Sequence, residues 1–107
     1  MSAPAMGPRG FANFREFYPF YLAEHANRTS RRLHVIGTTA ALAQCVAAAA
    51  LGNGWLVLSG VVTGYALAWI GHFVFERNRP ATFRHPLYSL RGDFTMARDV
   101  LAGRIPW

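Results

Sequence analysis

The chain has 107 residues, 52% of them hydrophobic and only 15% charged, with a formal net charge of +6. That length holds a single domain, 1–107, and the apolar excess is more than a soluble domain of this size needs, so an integral membrane protein is expected. Nucleic acid is excluded as a partner by distribution: all 11 basic residues are arginine, and they flank apolar runs instead of lining a polar face or tail.

In chain order, residues 11–26 come first among the predicted elements. Phe14, Phe17, Tyr18, Tyr21 and Leu22 recur at three- and four-residue spacing, the pattern of an interfacial amphipathic helix, which Pro19 is expected to kink or shorten. The stretch before Phe20 holds charged residues and prolines, so it is not read as a cleavable secretory signal. Ser30-Arg31-Arg32 followed by an apolar segment and Ala47-Ala48-Ala49 superficially resembles a twin-arginine export signal. Cleavage there would discard half the chain, and the segment is read as retained.

From Leu33 to Phe75, 43 residues pass without Asp, Glu, Lys or Arg. Gly52-Asn53-Gly54 divides this run with a strong turn signal, leaving 18 residues (34–51) on one side and 21 (55–75) on the other. Each approaches the ~20 residues that cross a bilayer core. Backbone amides in lipid must bond within their own segment, so helical spans are expected at 30–51 and 54–76. Small residues along them, among them Gly37, Ala41, Ala48, Gly60, Gly64, Ala68 and Gly71, either bring the two helices close or merely fill them. Arg28, Arg31 and Arg32 precede the first span, and Arg77, Arg79 and Arg84 follow the second. The positive-inside rule then puts both termini in the cytoplasm, a bacterial inner membrane being the expected location. Asn78 to Thr82 reads as a loop. Pro86 suits the first position of a last amphipathic helix, 86–102, with Leu87, Leu90, Phe94, Ala97 and Leu101 as its apolar stripe and Gly103 as its stop. The fold class is thus all-α: a two-span hairpin flanked by interfacial helices.

The four histidines carry the chemistry. His25 closes the first helix, His34 opens the first span, His72 lies in the last turns of the second, and His85 precedes the final helix. A hairpin returns to the side it left, so all four imidazoles are expected at one membrane boundary, where they can hold a metal. Imidazole suits Fe, Zn, Cu or Ni, and ligand type alone does not choose among them. Taken singly, each histidine is more often a polar anchor; His72 is the strongest candidate because a polar group near the membrane interior faces protein, water or a site. Glu24 adjoins His25, and Glu76 lies four residues beyond His72 on the same helical face. Glu76 is open to three roles: ligand, acceptor that orients a histidine, or partner of Arg77 or Arg79. Arg32 and Arg79 are candidates for binding a substrate carboxylate, against a baseline of topology and lipid-headgroup contact. Trp55 and Trp69 read as membrane anchors. Cys45 is the only cysteine, so no internal disulfide forms and it is read as packing.

Blocks in order along the chain carry a family resemblance. Residues 17–22 (Phe-Tyr-Pro-Phe-Tyr-Leu) with Glu24-His25, then Arg32-Leu33-His34 with Gly37-Thr38, then residues 69–73 (Trp-Ile-Gly-His-Phe), Glu76, residues 78–83 (Asn-Arg-Pro-Ala-Thr-Phe) and His85-Pro86-Leu87-Tyr88 resemble the small membrane family that includes the fungal 2-hydroxy fatty acid dioxygenase. The resemblance runs from Phe17 to Arg104. It implies a non-haem Fe(II)-dependent dioxygenase that performs α-oxidation with O2, shortening a 2-hydroxy fatty acid by one carbon, which in fungi serves phytosphingosine degradation. It also implies His25, His34, His72 and His85 as the iron ligands, with membrane lipid as a partner and the acyl tail running toward the bilayer along the hairpin. A homo-oligomer stays open. The rival readings are a small haem-binding electron-transfer protein and a non-catalytic membrane adaptor.

Overall fold

The computed structural model describes residues 10–107, and every regular element among them is helical. Helix α1 spans Phe14–Ala23. Asn13 caps it, its side chain accepting the Glu16 N–H at 2.9 Å, while Glu16 reaches back to accept the Ala12 N–H at 3.2 Å. The Glu24 and His25 amides close the far end on the Phe20 and Leu22 carbonyls. These two caps trim the element inside the expected 11–26, and Pro19 sits within the helix without ending it.

Helix α2 spans Arg28–Leu51, started by Asn27, whose side chain accepts the Ser30 N–H at 3.1 Å. Gly52, in the left-handed region at φ 63°, stops it, and Asn53-Gly54 turns the chain as expected. Helix α3 spans Trp55–Ile70 and runs on into a π-helical turn, Gly71–Glu76. With that turn the second apolar helix has 22 residues and the first 24, lengths of about 33 and 36 Å against a hydrocarbon core of ~30 Å. Only 22% and 17% of their most apolar windows is covered by the rest of the chain. A soluble core helix would be mostly covered. Here Val46, Leu58, Val62, Ile70, Phe73 and Val74 face outward instead, which suits hydrocarbon as the surrounding medium.

The hairpin closes on its small residues. A methyl at Gly60 would sit 3.0 Å from the Ala41 carbonyl, and one at Gly37 would sit 3.2 Å from the Leu67 side chain, so the backbones approach as closely as their side chains allow. Gln44 adds a polar clasp within the pair: it donates to Thr63 Oγ1 at 3.2 Å and accepts the Ser59 hydroxyl.

After a 3₁₀ turn at Ala81–Phe83, helix α4 spans Pro86–Leu101 with Pro86 in its first turn. Helix α1 packs on α4 across the base of the hairpin, around Phe17, Tyr21, Val35, Met96, Ala97 and Val100. The apolar stripe of α4, Ala97 apart, faces away from the protein. Ser89, Gly92, Met96, Ala97, Asp99 and Val100 are buried, whereas Leu87 and Leu101 are 80% and 75% exposed. In a lipid setting the large apolar side chains face outward and the small and polar ones face protein, which suits the interfacial helix expected here. Beyond α4 the chain folds back: Asp99 pairs with Arg98 and Arg104 at 3.1 and 3.2 Å and accepts the Tyr18 hydroxyl at 2.8 Å, and Arg31 donates to the Pro106 carbonyl at 2.9 Å.

Candidate metal centre

At the base of the hairpin three histidines from three segments meet. His25 lies between α1 and α2, His34 in the second turn of α2, and His72 in the π-helical turn. Their ring centroids are 4.1, 4.6 and 4.6 Å apart, and the planes cross at 72° to 87°. Their ligand-capable nitrogens lie within 4.8 Å of one another, and all three residues are at least 97% buried.

Each imidazole is held through Nδ1. His25 Nδ1 bonds the Tyr21 carbonyl at 2.6 Å, His34 Nδ1 the Ser30 carbonyl at 2.9 Å, and His72 Nδ1 the Asn78 side-chain oxygen at 2.6 Å. A carbonyl oxygen only accepts, so each Nδ1 carries the proton and each Nε2 is left with a free lone pair. His25 Nε2 is buried with no hydrogen-bond partner. Burial, and next the His34 imidazole, hold His25 well below its ordinary pKa, hence neutral. Neutral imidazoles with satisfied Nδ1–H groups and a stranded buried Nε2 are the donor set a metal cation satisfies, so the residues fit a metal ion.

A further shell supports these rings. Asn78 accepts from His72 and donates to Glu24, through its carboxylate and through its carbonyl at 3.2 Å. Glu24 therefore acts two bonds away from His72 and not beside its own neighbour His25. Glu76 accepts the Asn27 N–H at 2.6 Å, tying the end of the π-helical turn to the cap of α2. The Tyr21 ring stacks on His25 with centroids 4.0 Å apart, and its hydroxyl donates to Asp93 at 2.5 Å. Gly92 makes room for that ring, since a methyl there would meet it at 2.8 Å. Burial pushes the Asp93 carboxyl up to about 6, opposed by the Tyr21 hydrogen bond.

The structure sets His85 apart from the trio. Its ring packs 5.4 Å from Phe11 and 5.6 Å from Phe17, and it lines a separate cavity of about 410 Å³ with Arg79, Arg84 and Glu24. Its position just before α4 directs the ring to the aromatic face of α1, so three imidazoles converge where four were expected. Arg32 lies over the Trp107 ring at 5.3 Å, and Arg79 is exposed on the outer cavity; neither lines the space among the histidines. Asn78, Tyr21, Asp93 and Ser89 do belong there or support it, and none stood out in the sequence. Asp93 had a legible sign: a carboxylate three residues after Leu90 and four before Ala97 lies within an apolar helical arc. Ser89 is 5% exposed, its hydroxyl has no partner, and it lines the histidine cavity.

An all-helical hairpin with a buried tri-imidazole cluster at its base defines a candidate membrane metalloprotein. The family comparison is more specific. Residues 11–105 match the family described as "2-hydroxy-palmitic acid dioxygenase Mpo1-like", and the chain belongs to this Mpo1-like family. No curated protein and no solved structure matches.

Proposed function

We propose that the protein is a membrane-embedded non-haem Fe(II) dioxygenase that shortens 2-hydroxy fatty acids by one carbon. The observation that carries this reading is the trio of Nδ1-anchored imidazoles in a chain of the Mpo1-like family. The overall reaction, R–CH(OH)–COOH + O2 → R–COOH + CO2 + H2O, balances without an external reductant. The bond between the carboxyl and hydroxyl carbons breaks, the substrate is oxidised by four electrons and O2 is reduced by the same number.

His25, His34 and His72 would hold the iron, with Asn78 and Glu24 fixing the His72 ring. Bound there, Fe(II) supplies O2 activation and a chelation point for the hydroxyl and carboxylate of the substrate. Three neutral ligands leave a cationic centre that favours an anionic acid over its ester. Ser89, buried and unpartnered on the cavity wall, offers a hydrogen bond to the substrate head. Tyr21 and Asp93 form the opposing polar wall and exclude bulk water from the rings. The space among the histidines is about 20 Å³, room for an ion and a water-sized ligand, and three imidazoles within reach of one ion exceed the two axial ligands a haem iron takes, which counts against the haem reading. The arginines flanking the hairpin favour both termini in the cytoplasm, as in a bacterial inner membrane.

The test is product analysis. Iron-loaded protein incubated with 2-hydroxypalmitate is expected to release the acid one carbon shorter only when O2 is present, and His34→Ala is expected to abolish that product. Failure across a range of chain lengths, with iron verified as bound, would overturn the assigned reaction. Unchanged metal content in His34→Ala would instead favour a non-catalytic adaptor.

A further inference from the structure

Beside the histidine cavity an apolar groove of about 270 Å³ climbs the outer side of the hairpin. Its lower end is shared with the metal centre, since His34, Tyr65, Ala68 and Asp93 line both spaces. Ala41, Gly60 and Gly64, the small residues through which α2 and α3 approach, form its floor. Leu90 and Phe94 of α4 cover the lower part, and Cys45 and Val61 lie at the upper end. Leu42, Val61, Leu90 and Phe94 are each about half exposed, so the groove opens sideways, toward hydrocarbon and not toward water.

We infer that this groove is the acyl-chain subsite and that Cys45, with Val61 beside it, sets the longest chain the protein takes; the inference rests on the hydroxy-acid reading above. Continuity with the histidine cavity argues for the substrate's own tail as occupant. A second apolar space, about 550 Å³ along Val62, Ala66 and Phe83, also adjoins the histidine cavity through Tyr65, Trp69 and Thr82, but no histidine lines it, whereas the groove beside Ala41 and Cys45 starts at His34 itself. The length follows from helix geometry. Cys45 is 11 residues beyond His34, which is about 16 Å along α2 at 1.5 Å per residue. An extended chain of single bonds advances about 1.2 Å per bond, as an extended polypeptide does over its three bonds per residue. The groove thus takes roughly 13 bonds of tail. With the head carbons at the metal centre, the acid it measures has about 16 carbons, the length of palmitic acid named in the family description.

Cys45 is also the only cysteine, so its reactivity reports on the far end of the groove without any turnover. The full chain in detergent micelles is treated with a maleimide, and labelling is followed by intact mass. Palmitate and 2-hydroxypalmitate are expected to slow Cys45 labelling several-fold, whereas 2-hydroxyoctanoate, too short to reach, leaves the rate as it is without lipid. In turnover, Cys45→Phe is expected to cut the preference for 2-hydroxypalmitate over 2-hydroxyoctanoate about tenfold, the loss for displacing two buried methylenes. Protection by palmitate without any oxidation of hydroxy acids would sustain the subsite while sinking the reaction. Oxidation of 2-hydroxypalmitate with Cys45 labelled at an unchanged rate would overturn the subsite and leave the reaction standing. Shielding of Cys45 by a second copy of the chain, seen as labelling that rises on dilution without lipid, would also overturn it.

Discussion

The three imidazoles are not held with equal security. His25 and His34 each bond a backbone carbonyl one turn earlier in their own segment, an acceptor that persists whatever the side chains do. His72 depends on the Asn78 side chain, and Asn78 in turn on Glu24. Asn78→Ala is therefore expected to weaken iron binding by about 10- to 100-fold, the usual effect of losing such an orienting partner, measured by competition with a chelator; unchanged affinity would show that His72 orients itself. The Asp93 carboxyl gives a pH-dependent prediction. It titrates near 6 in the fold and near ~3.9 in an unfolded chain. Between about 4 and 6 the folded state holds a proton that the unfolded state has released, so this contribution is full below about pH 4 and lost as pH rises through about 6. In metal-free protein, the thermal midpoint of Asp93→Asn minus that of wild type is expected to grow over this window and level off above it. A flat difference would contradict the burial of the carboxyl. At this scale the sequence showed the histidines through their positions at helix ends. It did not show Asn78, because a loop asparagine gains its role only when Glu24, 54 residues away, arrives beside it.

The element that places His72 is the π-helical turn. Its extra residue lets the chain carry Glu76 back to Asn27 and bring Asn78 beside His72, with the Asn78 N–H on the His72 carbonyl at 3.0 Å. Such insertions concentrate at functional sites. Hydropathy is continuous through residues 69–75, so an α-helix to 76 was the natural expectation and the change in winding was invisible. Arg77 closes the turn at φ 57°, in the left-handed region where a side chain is strained. Gly71 explains how this turn reaches α2: a methyl there would meet Ser30 Oγ at 2.8 Å and the Ser30 carbonyl at 3.3 Å. Gly71→Ala is expected to cost about 1–3 kcal/mol as an overpacking change and to lower iron affinity by pushing His72 away from His34. At Gly64 the nearest atom stands at an ordinary 3.4 Å, and Gly64→Ala is expected to keep the thermal midpoint close to wild type. Equal loss in both variants would mean that the hairpin as a whole, and not its contact at Gly71, governs the site. The sequence marked both glycines as small without telling a tight contact from a loose one.

Over the whole molecule, burial is concentrated at one end. The metal centre, the α1–α4 aromatic core and the folded-back segment through Trp107 gather at the base of the hairpin, while the upper spans present apolar surface outward. The uncharged run of 43 residues and its central turn made this layout legible; the residues that α4 turns toward the protein were not, because its apolar stripe marks only the side that faces lipid. If arginines set the orientation, a reporter active only in the cytoplasm is expected to work when fused after Trp107, and one at Asn53 to be active only outside. The reverse pattern would put the histidines on the outer face. The claim on which function depends is that His25, His34 and His72 hold one iron together, and its most direct measurement is anaerobic titration of metal-free protein with Fe(II). Wild type and His85→Ala are expected to bind about one iron per chain, and His34→Ala and His72→Ala to lose it. Stoichiometric binding that survives His34→Ala, or that depends on His85 as strongly as on His72, would contradict the three-histidine centre.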